Sequence, residues 1–231
     1  MEKNWFSSLV LALGIVIGCL LIGNGIRSVS DGKRVVEVRG LSEREVPADR
    51  VTWNINFSET GNDLMAVYRQ VSAKNKIVTD FLKSNGIAEK DIFQNAPNVY
   101  DRTSNMYAGN YSGPRYSVSS GITVSSSDVD KVRELSGRQG DLLAKGIALE
   151  GGNYNVDYEF TGLNSIKPQM IEDATKAARE AAEKFATDSD SKLGKIRNAS
   201  QGQFSIESIN STTPYIKKVR IVTYVTYLLE D

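Results

Sequence analysis

Histidine does not occur among the 231 residues. Its absence removes the usual general base near neutral pH, the Ser-His and Cys-His nucleophile pairs, and the commonest transition-metal ligand. Cysteine is almost as scarce. The single thiol, Cys19, lies inside an apolar N-terminal run, so the rest of the chain folds with neither a disulfide nor a thiolate nucleophile. Charge of one sign is not in excess either: Lys plus Arg and Asp plus Glu each number 28, which gives no global field for nucleic acid or an anionic surface. No glycine-rich phosphate fingerprint stands between a strand and a helix, so nucleotide binding has no support. The sequence supplies no ligand set for a metal or cofactor, and no catalytic residue stands out.

What is present is the balance of an ordinary globular protein, 40% hydrophobic and 24% charged. From Trp5 to Ile26 no residue is charged, with Lys3 before the run and Arg27 after it. A helix needs ~20 apolar residues to cross the hydrocarbon core, and this run supplies them. Residues 1–28 therefore read as an N-terminal membrane anchor or signal segment, and 29–34 as a linker. Val16-Ile17-Gly18-Cys19 also resembles the lipobox of bacterial lipoproteins, which makes Cys19 an alternative lipid-attachment point. Leu20, Leu21 and Ile22 continue the apolar run past the cysteine, which favours an uncleaved single-pass anchor over a lipoprotein or a cleaved signal. Arg27, Lys33 and Arg34 outnumber Lys3, and by the positive-inside rule this favours a cytoplasmic C-terminal domain.

Beyond the linker, Val35–Val38 reads as a first strand. Val51, Trp53, Ile55 and Phe57 then alternate with Thr52, Asn54, Asn56 and Ser58, the period-2 pattern of a half-buried strand. Leu64, Tyr68, Val71, Val78 and Leu82 take helical spacing up to Asn85-Gly86, a helix stop. Strands are predicted at 92–100 and 116–124. In the second half Tyr154, Val156, Tyr158 and Phe160 alternate with polar residues. A helix follows with the apolar face Met170, Ala174, Ala177, Ala181, Phe185, and then strands near 195–206 and 219–229. Asp128–Lys145 reads as a connector helix broken at Gly137 or Gly140. The fold class is α+β: two βαββ-type halves, 35–126 and 150–231, with helices on largely antiparallel sheet and one transmembrane helix ahead of them.

Several of these features resemble the SIMPL-domain family, a bacterial family of exported or membrane-anchored proteins of poorly defined function. They are Val38-Arg39-Gly40, Pro47-Ala48-Asp49 before the alternating strand, Leu82 to Ile87 followed by Asp91-Ile92, and the Tyr116-x-Val118 strand. Asp128–Val132, the alanine-rich helix 174–186 with Arg179, and Leu193-Gly194-Lys195 complete the series across 35–231. The resemblance implies an envelope-facing domain, in some members assembled into large ring-like oligomers and linked to oxidative-stress tolerance. It implies a single-pass protein of the bacterial inner membrane with its C-terminal domain in the periplasm or outside, against the flanking charges. It supplies no catalytic residues.

The loop 101–115 places Met106, Tyr107 and Tyr111 among Asn, Ser and Gly, with Tyr100 and Tyr116 flanking it. That composition suits a subunit contact or a cell-wall partner, and equally a plain hairpin connection. Asp49, Asp91 and Asp157 are the acids available to a carboxylate enzyme, the alternative reading, and Asp49 and Asp91 read more simply as turn residues. Asp128 and Asp130 lack the glycine and closing glutamate of a calcium loop. Lys217, Lys218 and Arg220 read as guards of a sheet edge. The function expected is a non-enzymatic envelope module, membrane-attached and homo-oligomeric, with no nucleic-acid partner.

Overall fold

The computed structural model describes residues 9–10, 12–21, 34–104, 112–151 and 155–230. Helical backbone is present at 9–10 and 12–21. The expected span Trp5–Ile26 lies partly outside the described residues, and among the described residues no helix is long and apolar enough to cross a membrane.

The remainder is an α+β fold with two antiparallel sheets. In chain order its elements are β1 (Val35–Pro47), β2 (Arg50–Gly61), α1 (Leu64–Ser84), β3 (Ile92–Gln94), β4 (Asn98–Asp101) and β5 (Tyr116–Ser126). There follow α2 (Val129–Gly137), α3 (Gln139–Leu143), β6 (Val156–Glu159), α4 (Leu163–Asp188), β7 (Lys192–Gln201), β8 (Ser205–Ser208) and β9 (Ile216–Glu230). The chain divides into two compact units. One comprises Met1–Ser42, Ile171–Gln203 and Val222–Asp231, the other Glu43–Met170 and Phe204–Ile221.

The second unit holds a five-stranded sheet of order β3-β5-β2-β6, with β4 also on β5. The alternation read in β2 places Val51, Trp53, Ile55 and Phe57 in the core, where they meet Val67, Val71, Val78 and Leu82 of α1. Asp63 caps α1 by accepting from Met65 N at 2.9 Å. At its other end Gly86 has φ +84°, and Ile87 N donates to Leu82 O at 3.0 Å, the six-to-one bond of a Schellman stop. Tyr68 is not on the buried face but 46% exposed, and Asn75 takes a place in it. The connector is broken where expected, with α2 ending at Gly137 and α3 starting at Gln139.

In the first unit α4 lies on β1, β9 and β7. The helix buries Ala174, Ala178, Ala182 and Ala186, whereas Ala177 and Ala181 are half-buried and Phe185 is 61% exposed. The alanine stripe therefore runs in strict steps of four, one position round from the expected face. Without side-chain bulk the helix comes close to β1: a Cβ on Gly40 would sit 1.8 Å from Ala174 O and 2.7 Å from Ala178 N. Strand β9 runs opposite to β1, since Leu229 N donates to Arg34 O while Arg220 reaches Glu43.

Strand pairing does not follow the division at the connector. β6, from the second half of the sequence, pairs with β2 in the five-stranded sheet, and β1, from the first half, pairs with β9 in the other.

Candidate contact site at the edge of the five-stranded sheet

The loop between β4 and β5 is closed at its base by one ion pair. Arg115 donates to Asp101 from Nη2 to Oδ2 at 2.9 Å and from Nε to both oxygens at 3.2 and 3.3 Å, a two-pronged grip that fixes orientation as well as distance. Backbone bonds reinforce it: Arg102 N donates to Arg115 O at 2.8 Å, and Arg115 N donates to Asn62 Oδ1 at 3.0 Å. Thr103 adds N–H and hydroxyl bonds to Asp101 Oδ1. The Arg115 guanidinium, followed by the Thr103 donors, holds the Asp101 carboxyl at about 2, against an ordinary 3.8. Arg115 also lies over the ring of Tyr116, 4.8 Å from its centroid.

Along this edge the sheet exposes large apolar side chains. Phe93 is 53%, Val99 47% and Tyr100 54% exposed. Of the expected contact residues, Tyr100 thus stands open on β4, and Tyr116 is half-buried at the start of β5. Met106, Tyr107 and Tyr111 lie outside the described residues.

Register fixes which side each residue faces. Phe93 pairs with Thr123 and Tyr100 with Ser117, so both project from the side opposite the core. There Asn95 Nδ2 donates to Thr123 Oγ1 at 3.2 Å, and Thr123 donates to Asn54 Oδ1 at 2.8 Å, a polar row crossing the sheet. Asn56 lies over Gly121, where a Cβ would come 2.2 Å from Asn56 Oδ1.

The SIMPL family model, described as a protein of unknown function (DUF541), matches residues 36–220. This chain belongs to the SIMPL family. A search of curated proteins finds no match.

Within this SIMPL domain the candidate acids have separate tasks. Asp49 accepts from Thr161 N and Gly162 N, both at 2.8 Å, and from Thr161 Oγ1, tying the β1–β2 turn to the segment that starts α4. Burial raises its carboxyl, but those bonds outweigh it and hold the group below its ordinary range. Asp91 accepts from Ser126 Oγ at 2.8 Å, Asp128 caps α2, and Asp130 pairs with Arg133. Asp157 lines a cavity of about 390 Å³ with Glu159, Phe160, Ile206 and Lys217.

The edge-guard reading of the basic cluster is corrected. β9 lies between β1 and its partners β7 and β8, so it is not an edge, and Lys217 is 9% exposed with its ammonium on Ser208 Oγ at 2.9 Å. A second cavity of about 290 Å³ is lined by Arg133, Ser136, Tyr158, Thr212 and Tyr215. The Arg133 guanidinium stands 4.3 Å from the Tyr215 centroid, and burial pushes the Tyr158 phenol up. In the other unit a groove of about 650 Å³ runs between α4 and β7 over Leu193 and Tyr227. Cys19 is exposed on the N-terminal helical stretch. Neither the Asn75–Ser120 pair nor the Asp101–Arg115 clamp stood out in the sequence; the one trace of the clamp was an acid and a base bracketing a loop of Asn, Ser, Gly and Tyr.

Proposed function

We propose that this SIMPL protein is a non-enzymatic, membrane-anchored module of the bacterial cell envelope whose domain assembles with copies of itself or binds an envelope partner. The observation that carries the reading is the clamp at the loop base. A two-pronged Asp101–Arg115 bond with four supporting donors holds in register the ends of a loop containing Met106, Tyr107 and Tyr111, and Tyr100 and Val99 stand exposed beside it. A loop tied so firmly at its base presents its tip at lower entropic cost than a free one, and aromatic side chains there suit a protein contact. The edge strand β7, open along most of its ten residues, offers a second pairing surface.

In this reading the segment Trp5–Ile26 is a single-pass helix of the inner membrane with the domain outside the cytoplasm. A role in envelope or oxidative-stress tolerance follows from the family resemblance. The alternatives are a carboxylate enzyme and a scaffold lipidated at Cys19; the separate engagements of Asp49 and Asp91 weigh against the first.

Sedimentation of the full-length chain in mild detergent tests the assembly. A defined oligomer that Tyr107→Ala with Tyr111→Ala weakens, at unchanged melting temperature, supports it; a monomer at every concentration leaves a monomeric binding module. Carbonate extraction tests the anchor, which fails if chain still containing Trp5–Ile26 washes from membranes. Cys19→Ser abolishing fatty-acid labelling would instead favour the lipidated scaffold.

A further inference from the structure

The outer side of the five-stranded sheet has a composition that neither core packing nor the loop explains. Every outward position of β2 from Thr52 to Thr60 and of β5 from Ser117 to Ser125 is Ser, Thr, Asn or Gly. None of these positions is charged, although the Ser58 hydroxyl donates to the Glu150 carboxylate. One flank of the strip is aromatic, with Phe93 and Tyr100 more than half exposed, and the other is acidic, with Asp157 and Glu159 on β6 and Glu150 bridged to Asn56. Arg50 is the single cation among the outward strand positions.

We propose that this face binds a neutral polysaccharide strand. A sugar ring presents hydroxyls that both donate and accept around its rim, and a C–H surface that is apolar. Hydroxyl and amide side chains answer the first, since each can donate and accept in turn. Exposed aromatic rings answer the second, because they offer a flat apolar area at small entropic cost. Phe93 and Tyr100 pair with β5 residues six positions apart, which separates the rings by about 20 Å along the sheet edge, a span several sugar rings long. The row from Asn95 through Thr123 to Asn54 holds the polar side chains in place and leaves the Asn54 NH₂ as a donor.

Other occupants fit worse on the same chemistry. Nucleic acid and acidic wall polymers need lysine and arginine, and the charged flank here is acidic. Protein interfaces are depleted in serine at their centres, where this face has most of it. A lipid surface needs a continuous apolar or basic face. The proposal does not depend on anchoring or self-assembly.

The test is calorimetric titration of the full-length chain in mild detergent with neutral hexasaccharides, namely chitohexaose, cellohexaose and maltohexaose, and with dextran sulfate as the acidic control. The expected result is saturable binding of at least one neutral hexamer and none of dextran sulfate. Phe93→Ala and Tyr100→Ala should each weaken that binding by about tenfold or more, without change in melting temperature. Asn54→Ala should weaken it as well, with no change in the assembly state read by sedimentation. Three results overturn the proposal: no neutral hexamer bound at millimolar concentration, tighter binding of dextran sulfate, or affinity unchanged in the Phe93→Ala/Tyr100→Ala double variant. A change of assembly state with glycan binding intact would count against the function proposed above and leave this inference standing.

Discussion

Asn75 of α1 and Ser120 of β5 meet inside the apolar layer of the larger unit, with Asn75 Nδ2 3.0 Å from Ser120 Oγ and the hydroxyl 3.3 Å from Asn75 Oδ1. Both residues are buried, and Asn75 stands in the same helical row as Val71 and Val78. Each therefore satisfies the other where water does not reach. Removing one partner strands the other, so Asn75→Ala and Ser120→Ala should each cost about 1–3 kcal/mol. The double variant should cost less than the two together, which urea midpoints over the four-protein cycle measure. Strict additivity would show that the pair is not coupled.

Gly40 is where helix and strand touch. An alanine there drives its methyl into the α4 backbone at Ala174 and Ala178, which no rotamer change relieves. Gly40→Ala should destabilise by at least about 1–3 kcal/mol. Gly140 in α3 meets nothing within 4 Å, and Gly140→Ala should stabilise by about 0.5–1 kcal/mol through helix propensity. A melting temperature unchanged or raised in Gly40→Ala would contradict the close approach, and one lowered in Gly140→Ala would contradict the open space there.

Thr223, on the helix-facing side of β9, is the one residue among those described whose buried side-chain polar atom lacks a partner. A methyl in place of that hydroxyl keeps the shape and removes the unsatisfied group. Thr223→Val should therefore raise stability by about 1 kcal/mol, read as a higher denaturation midpoint at constant slope. A lower midpoint would reveal a hidden partner.

The loop clamp should respond to acid in a defined window. Because the Asp101 carboxyl titrates lower when folded than when free, its contribution is complete above about pH 4 and disappears as pH falls through about 2. A carbon-detected NMR titration should place the Asp101 midpoint near 2, and Arg115→Ala should return it toward 3.8. An unmoved midpoint in that variant would assign the shift to Thr103 instead.

The parts of this fold that were legible in the sequence are those where bulk and period agree. Trp53, Ile55 and Phe57 alternate with small polar residues, and Asn85-Gly86 carries its stop in its own backbone. Helix α4 misled because alanine is nearly indifferent to burial. Stepping by three from Ala174 to Ala177 turns the stripe toward the flank, and the bulk of Phe185 then draws the eye to a side that faces solvent. Lys217 misled because nothing local distinguishes a central strand from an edge. That difference depends on β1 and β8, which lie far off or return through a turn.

Of the site, the loop composition was legible while its clamp was not, since Asp101 and Arg115 become partners only once β4 and β5 are aligned on one register. The outer sheet face was visible as the polar half of two alternating patterns. What the sequence could not convey is that the two halves lie side by side, Asn54 against Thr123, and that an aromatic edge borders them.

The exchange of β1 and β6 between the sheets bears on how the chain is made. As synthesis proceeds, β1 emerges early and must wait for β9, its neighbour nearly two hundred residues downstream, while β2 lacks one flank until β6 appears. Both sheets are closed by contacts of long sequence separation, the kind that form slowly because loop entropy is lost before any pairing compensates for it. During that interval β1 is an unpaired strand bearing Val35, Val36 and Val38, a segment prone to pairing with the wrong chain. A nascent protein of this topology thus keeps one strand open until its last strand is in place.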